Sequence, residues 1–237
     1  MRYCWTTLLG TDDFLGEVFC LYCSLKKVNS IYPLVVIAVD SLSEETINQL
    51  KESGIDYRIF HDYSFQIEGN YYNCTLNKFH AFNLTDYDKV FFVDADIVFL
   101  KNMDFVFEET PFFGHIPYVE NAIESWINGA FWLVNPKSKK MSDIVNKYQA
   151  TYETDEDVLN DIYLEEILNN NNYIIDIEEY THSFTGRQKI YKRFKINKLD
   201  EFQYCIDNDV FFKGWKCFDN YNERDYKYHY IIENSDF

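Results

Sequence analysis

Proline and glycine are scarce in this chain, with 4 and 8 copies in 237 residues. No Ser/Gly-rich linker, long block of like charge or internal repeat divides it. That excludes collagenous and low-complexity architectures. With 47% hydrophobic and 19% aromatic residues, it leaves a single domain with a large buried core as the expectation. Positive charge is also short: 22 Lys and Arg face 39 Asp and Glu, for a net charge of −17. Such a balance argues against broad binding to nucleic acid or to anionic membranes. No run of ~18 uncharged apolar residues is long enough to span a bilayer. No basic n-region followed by an apolar h-region opens the chain. The expectation is therefore a cytoplasmic protein without a membrane span. A viral protein in a host cytoplasm fits the same bias toward Asn, Ile, Tyr and Lys.

Six cysteines are present, but a second close pair that would complete a zinc site around Cys20-x-x-Cys23 is lacking. Residues 13–27 read as a helix that carries both thiols on its core side as small hydrophobes. One stretch reverses the acidic balance: Arg187, Lys189, Lys192, Arg193, Lys195 and Lys198 follow one another with no acid between. It reads either as a solvated face or as a contact for phosphate or acceptor.

What is present is an alternation of short apolar runs with helical segments. Tyr3–Leu8, Leu34–Val39, Ile55–Phe60 and Tyr87–Val93 read as strands. Between them, Ser43 caps a helix with Glu44 and Glu45 in its first turn, and Gly54 stops it. Residues 78–84 read as a further helix. Strands alternating with helices predict an α/β fold with a mostly parallel central sheet flanked by helices. Beyond residue 100 the pattern is more antiparallel. Ala130–Val134 reads as a strand and Ser138–Tyr148 as a helix. Asp155-Glu156-Asp157 opens another helix, and Tyr173–Ile177 and Tyr228–Ile232 are expected late strands.

Asp94-Ala95-Asp96 ends the apolar run Val90–Val93. Two carboxylates one residue apart on an extended strand share a side. Hard oxygen ligands suit magnesium or manganese, whose open positions suit a diphosphate. A strand-ending turn carrying two solvated acids is the alternative. Ligands of parallel α/β sheets bind at the carboxyl ends of the strands, where this pair lies.

Thr75-Leu76-Asn77-Lys78-Phe79-His80, followed by Leu84-Thr85-Asp86-Tyr87-Asp88-Lys89-Val90-Phe91-Phe92-Val93-Asp94-Ala95-Asp96, resembles the heart of a glycogenin-like glycosyltransferase. That is family 8 of the retaining enzymes of GT-A fold. Four further segments agree in order: Ser24-Leu25-Lys26, Leu34–Val39, Asn128-Gly129-Ala130-Phe131 up to Pro136, and Asp155-Glu156-Asp157-Val158-Leu159-Asn160. The resemblance implies a Rossmann-like GT-A fold with a smaller antiparallel C-terminal part. It assigns 1–100 to a nucleotide-binding half and 101–237 to an acceptor and donor-sugar half. It implies transfer of a sugar, by default glucose, from a UDP-sugar to a glycan, protein or small-molecule acceptor. The cofactor implied is manganese, with magnesium as substitute.

Residue by residue, the resemblance makes Asp94 and Asp96 metal ligands, with Asp94 and Ala95 also facing the donor. Thr7, Leu8, Leu9, Gly10, Thr11 and Phe14 occupy the loop that cups the uracil, Phe14 stacking on the base. Leu9-Gly10 departs from the family's polar pair there. Lys78 stands near the donor, Asn128 and Gly129 lie against its sugar, and Asp155 and Glu156 lie over its reactive face. The family has Gln where this chain has Glu156, which reads as a nucleophile, a stabiliser of an oxocarbenium-like state, or a helix N-terminal acid. Asp157 is either such an acid or an acceptor contact. His229 is favoured as third metal ligand over His182, and the family's Gly-x-x-Lys-Pro-Trp tail is missing after it.

Two other readings compete. One is a non-catalytic module of the same fold that binds nucleotide sugar or glycan. The other is a sugar-phosphate nucleotidyltransferase, whose Gly-rich phosphate loop Leu8-Leu9-Gly10-Thr11-Asp12 does not supply. A homodimer fits the composition as readily as a monomer.

Overall fold

A computed structural model describes residues 1–64, 74–109, 129–148, 154–168, 181–183 and 199–200, together with Gln203 and Asp207. Strands β1 (Tyr3–Leu9), β2 (Leu34–Val39), β3 (Asp56–Phe60), β4 (Lys89–Val93) and β6 (Phe131–Val134) form one sheet in the order β3-β2-β1-β4-β6. All of its pairings are parallel except that of β4 with β6. A second, antiparallel pair joins β5 (Ile97–Phe99) to β7 (Thr181–Ser183).

Alternation along the strands builds two cores. Trp5, Leu9, Val36, Ala38, Phe91, Val93, Phe131 and Leu133 face one side and pack with α1 (Leu15–Lys27), β5 and α3 (Val106–Glu109). Cys4, Leu8, Val35, Ile37, Val39, Val90, Phe92 and Trp132 face the other. They pack with a 3-10 turn over Thr75–Asn83, with α4 (Met141–Tyr148) and with the start of α5 (Asp155–Leu168). Each fully buried side chain of this size contributes about 1.5–3 kcal/mol. Continuous burial of β2 is what a central parallel strand requires.

The local signals explain the termini. Ser43 Oγ accepts from Thr46 N at 3.2 Å at the start of α2 (Glu44–Ser53), and Gly54, at φ 72°, ends that helix. Cys20 and Cys23 are buried in the core that α1 packs into, as the helical reading of α1 implied.

Some boundaries differ from the sequence expectation. A 3-10 turn at Asp12–Phe14 precedes α1, so the α-helix starts at Leu15. Strand β4 starts at Lys89, because Tyr87 N bonds back to Leu84 O at 3.0 Å in a turn. The segment read as a helix over 78–84 is the 3-10 turn of Thr75–Asn83. The carboxylate pair does not prolong β4. Ile97 N donates to Asp94 O at 3.2 Å, closing a turn that sends the chain out of the main sheet into β5. The expected strands at 173–177 and 228–232 lie outside the described residues.

His80 shows how the 3-10 turn is fixed. Its ring stacks on Phe60 (centroids 4.6 Å, 11°) and on Tyr63 (5.5 Å, 29°). Nε2 lies 2.8 Å from His61 O, and Nδ1 lies 3.0 Å from Asn83 Nδ2. A neutral ring donating from Nε2 and accepting at Nδ1 satisfies both partners. Burial pushes its pKa below the ordinary value, in spite of the bond to His61 O. The unfolded chain then takes up a proton that the folded chain refuses. Stability from His80 is complete above about pH 6.5 and declines as pH falls below that value. Urea titrations at pH 7.5 and pH 5 should show that His80→Gln reduces the acid-side loss seen in the wild type.

Candidate active site

The 3-10 turn delivers Lys78 beneath the carboxyl edge of the sheet. Its side chain is buried, and its Nζ lies 2.8 Å from Asp94 Oδ1 and 2.7 Å from Asp155 Oδ2. It also donates to Gly129 O at 3.3 Å and sits 5.6 Å from the Phe92 ring centroid. Burial opposes the charged ammonium, but Asp94 and Asp155 outweigh burial and hold the Lys78 pKa well above its usual range. Burial drives the Asp94 carboxyl upward. Lys78 opposes that rise, and Asp96 and Asp155 add to it.

Gly129 is wedged into this cluster. A Cβ there would stand 2.0 Å from Asp155 Oδ2 and 2.9 Å from Asp155 Cγ, so no side chain fits while Asp155 keeps its place. Gly129 N donates to Glu156 Oε1 at 3.3 Å, and Gly129 O also accepts from Trp132 Nε1 at 3.2 Å. Burial raises the Glu156 pKa, against the lowering effect of the Gly129 N–H. Asp157 has a different task. Thr154 Oγ1 accepts from Asp157 N at 3.2 Å while Asp157 Oδ2 accepts from Thr154 N at 3.1 Å, a reciprocal cap that starts α5. That cap agrees with the reading of Asp157 as a helix N-terminal acid.

Asp94 and Asp96 bracket the turn after β4, and Ala95 between them is buried. Asp94 and Asp155 hold a single ammonium between them, with Asp96 close enough to act on Asp94 and Glu156 close enough to feel Asp155. Hard carboxylate oxygens in surplus over positive charge fit a divalent cation of the magnesium or manganese type. Among the described residues no group of three His, Cys, Asp or Glu is placed to hold a metal ion. The expected third ligand, His229, lies outside them, as do Asn128 and the basic stretch from Arg187. His182 lies in β7, in register with Val98.

A cavity of about 380 Å³ opens along the same edge. Gly10, Thr11 and Asp12 after β1, Ser41 after β2, and Asp62 and Ser64 after β3 line it. Cys74 joins them so closely that a Cβ on Gly10 would lie 3.1 Å from Cys74 Cβ. The loop expected over residues 7–11 is shorter than its sequence suggests. Thr7, Leu8 and Leu9 belong to β1, in register with Val36, Ile37 and Ala38, so only Gly10 and Thr11 reach the cavity. The Leu9 side chain lies in the first core. Thr7 Oγ1 is buried without a hydrogen-bond partner among the described residues. Phe14 packs against the first core and is not part of the cavity wall. Asp62 and Ser64 escaped sequence reading, since a polar loop after a strand carries no distinguishing signal.

Removing Lys78 would leave two carboxylates without their buried partner, a change that costs about 3–5 kcal/mol. Urea unfolding should show Lys78→Met destabilised by that order, with part of the loss recovered in Lys78→Met/Asp155→Asn. Gly129→Ala should displace Asp155 and cost about 1–3 kcal/mol by overpacking in the same assay.

A family model described as nucleotide-diphospho-sugar transferase matches residues 29–227. UDP-glucuronate:xylan alpha-glucuronosyltransferase 2 of Arabidopsis thaliana is 26% identical over 248 residues, covering 96% of this chain and 37% of the relative. Galactinol synthase 4 of the same plant is 32% identical over 108 residues, covering 44% of this chain and 32% of the relative. Uncharacterized protein R707 of Acanthamoeba polyphaga mimivirus is 26% identical over 159 residues, covering 59% and 57%. The chain thus spans about a third to just over half of these relatives' lengths. Among solved structures, galactosyltransferase LgtC in complex with donor and acceptor sugar analogues superposes with a TM-score of 0.55 at 12% identity, over 86% of this chain and 95% of that one. Glycosyltransferase GlyE of Streptococcus pneumoniae gives 0.54 at 17% identity, over 90% and 64%. These likenesses carry the fold, which is that of the GT-A glycosyltransferases. Because the family model covers most of its length, the chain belongs to the nucleotide-diphospho-sugar transferase family, as its resemblance to glycogenin-like family 8 enzymes implied.

Proposed function

We propose that this protein transfers a sugar, by default glucose, from a UDP-sugar to an acceptor with retention at the anomeric carbon. Its relatives include proteins named glucuronosyltransferases and galactinol synthases, which supports a transferase of the same class. The observation that carries the reading is the buried Lys78 joining Asp94 to Asp155 and to the Gly129 carbonyl. One ammonium thereby ties the acid turn after β4 to the start of α5, the two groups that a metal-bound diphosphate and its sugar would have to touch.

Asp94 and Asp96 would hold manganese, with magnesium as substitute and a third ligand such as His229. When bound, the cation supplies Lewis-acid stabilisation of the charge on a departing diphosphate. Lys78 fixes Asp94 and Asp155 in one geometry, and such pre-organisation is what converts binding into rate. Asp155, buried and acceptor-only, would orient a hydroxyl of the donor sugar. Glu156, held by the Gly129 N–H, presents negative charge toward a developing oxocarbenium-like centre. Gly129 leaves the room that both carboxylates need. The cavity beside Gly10 and Thr11 would take the nucleoside. The acceptor is a glycan, a protein or a small molecule.

Hydrolysis of a panel of nucleotide sugars with manganese tests this without knowledge of the acceptor. The wild type should release UDP from one donor. Asp96→Ala should lower that rate by on the order of 10²-fold or more, the equivalent of several kcal/mol of transition-state stabilisation. Manganese-dependent UDP binding without turnover, even with an acceptor panel, would instead mark a binding module. Absence of both would overturn the reading.

A further inference from the structure

We infer that Asn77 is a positioning residue for nucleobase selection, acting through the wall formed by residues 62–64. The inference rests on the proposed function, because it assigns the cavity to the nucleoside end of the donor. Asn77 is fully buried and does not itself line the cavity. Its Nδ2 donates to Asp62 Oδ1 at 2.8 Å and to Ser64 Oγ at 3.3 Å, and its Oδ1 accepts from Tyr63 N at 2.8 Å. Both amide donors and the carbonyl are thus committed to three successive residues. A buried amide used this completely is costly to disturb, and it fixes the segment it holds.

The wall it holds is one polar side of the cavity. Asp62 Oδ1 also accepts from Ser64 N at 2.8 Å, and Ser41 Oγ donates to Asp62 Oδ2. Asp62 N in turn donates to Asp40 Oδ1 at 2.9 Å, so the loops after β2 and β3 are tied together. These hydrogen bonds, foremost those from Ser41, Ser64 and Asn77, outweigh burial and keep the Asp62 carboxyl below its usual range, hence charged. On the β1 side Thr11 and Asp12 also carry polar groups, and Asp12 Oδ1 accepts from Ser43 N at 3.0 Å. The hydrogen-bonding groups that Asn77 holds in place are those of Asp62 and Ser64, with Ser41 bonded to Asp62 in turn. Discrimination by such groups depends on their being held at fixed positions, since an unpaired buried polar group is what rejects the wrong ligand.

The same short turn serves both ends of the site. With three residues per turn, neighbouring side chains of a 3-10 helix diverge by about 120°. Cys74 at its start enters the cavity wall, Asn77 stands behind the wall, and Lys78 turns away to Asp94 and Asp155. A change at Asn77 therefore reaches the base without touching the lysine that holds the acid cluster.

Calorimetric titration of UDP, CDP, ADP and GDP, each with manganese, into the wild type, Asn77→Ala and Asn77→Ser tests the assignment. The four ligands share the diphosphate and differ in the base. For the base that the wild type prefers, Asn77→Ala should weaken binding at least ~10-fold, while the poorest ligand changes by less than ~3-fold. Asn77→Ser, which keeps one hydrogen-bonding group, should fall between, and it carries the test alone should Asn77→Ala not fold. Equal weakening of all four ligands would mean a merely structural role and would overturn the inference, as would affinities left unchanged. Binding of none of the four by the wild type would remove the proposed function itself, and the inference with it.

Discussion

A single buried ammonium organises this molecule's working edge. Withdrawing a lysine from water costs several kcal/mol unless partners replace the solvent, and a buried charge left alone is worse than none. Lys78 is compensated by Asp94, Asp155 and the Gly129 carbonyl, which come from the end of β4, the start of α5 and the approach to β6. None of these segments neighbours another in sequence. Each must arrive within hydrogen-bond distance of one nitrogen, so their relative positions are constrained far more tightly than apolar packing alone would require. The aromatic floor adds to that constraint: Phe92 lies beneath the ammonium and stacks on Trp132, whose Nε1 bonds the same Gly129 carbonyl.

Topology explains why these segments can meet. In the order β3-β2-β1-β4-β6, the parallel strands all point their carboxyl ends to one edge. The chain winds from β1 outward to β2 and β3, then returns to place β4 on the other side of β1. The crevice at such a reversal is where parallel sheets bind ligands. Loops after β1, β2 and β3 enclose the cavity, and the turn after β4 carries the acid pair. Strand β6 runs the opposite way, so its amino end reaches this edge, where Asp94 N bonds Ala130 O at 3.0 Å and Gly129 comes next to Asp155. One antiparallel strand thus contributes what a parallel one could not.

Legibility in the sequence followed the strength of the local signal. Runs such as Leu34–Val39 and the Ser43 cap with Gly54 needed no tertiary information, and the structure reproduces both. Lys78, Asp94, Asp155, Glu156 and Gly129 came from the family resemblance, and folding brings all five into one cluster. What escaped was set by long-range contact. Whether residues 75–83 coil as an α or a 3-10 helix depends on anchors such as His80 on Phe60 and Asn77 on Asp62, neither visible in a local pattern. The carboxylate pair lies on a turn because β5 leaves the main sheet to pair with Thr181–Ser183, a partner some eighty residues away. Asn77 sat inside the recognised segment with no assigned task, since its value lies in three partners supplied by another loop.

The charge balance at this edge also bears on the order of events under the proposed function. Four carboxylates and one ammonium leave the acid cluster negative, and a nucleoside diphosphate is itself an anion. Two like charges 4 Å apart repel by about 4 kcal/mol at an effective dielectric of 20, so the cluster by itself rejects the phosphates that must approach it. The Asp94 carboxyl already registers that crowding, for burial and its acidic neighbours raise its pKa in the face of Lys78. Lys78 cannot serve as the counter-charge for the phosphates without releasing Asp94 or Asp155, because its donors are committed to them. A divalent cation bound by Asp94 and Asp96 would offset most of that excess negative charge where Lys78 cannot. Under the proposed function, metal and nucleotide affinities at this edge would be coupled by electrostatics, each favouring the other. Under that function the cavity supported from behind by Asn77 would contribute a share of donor binding that does not depend on that cation.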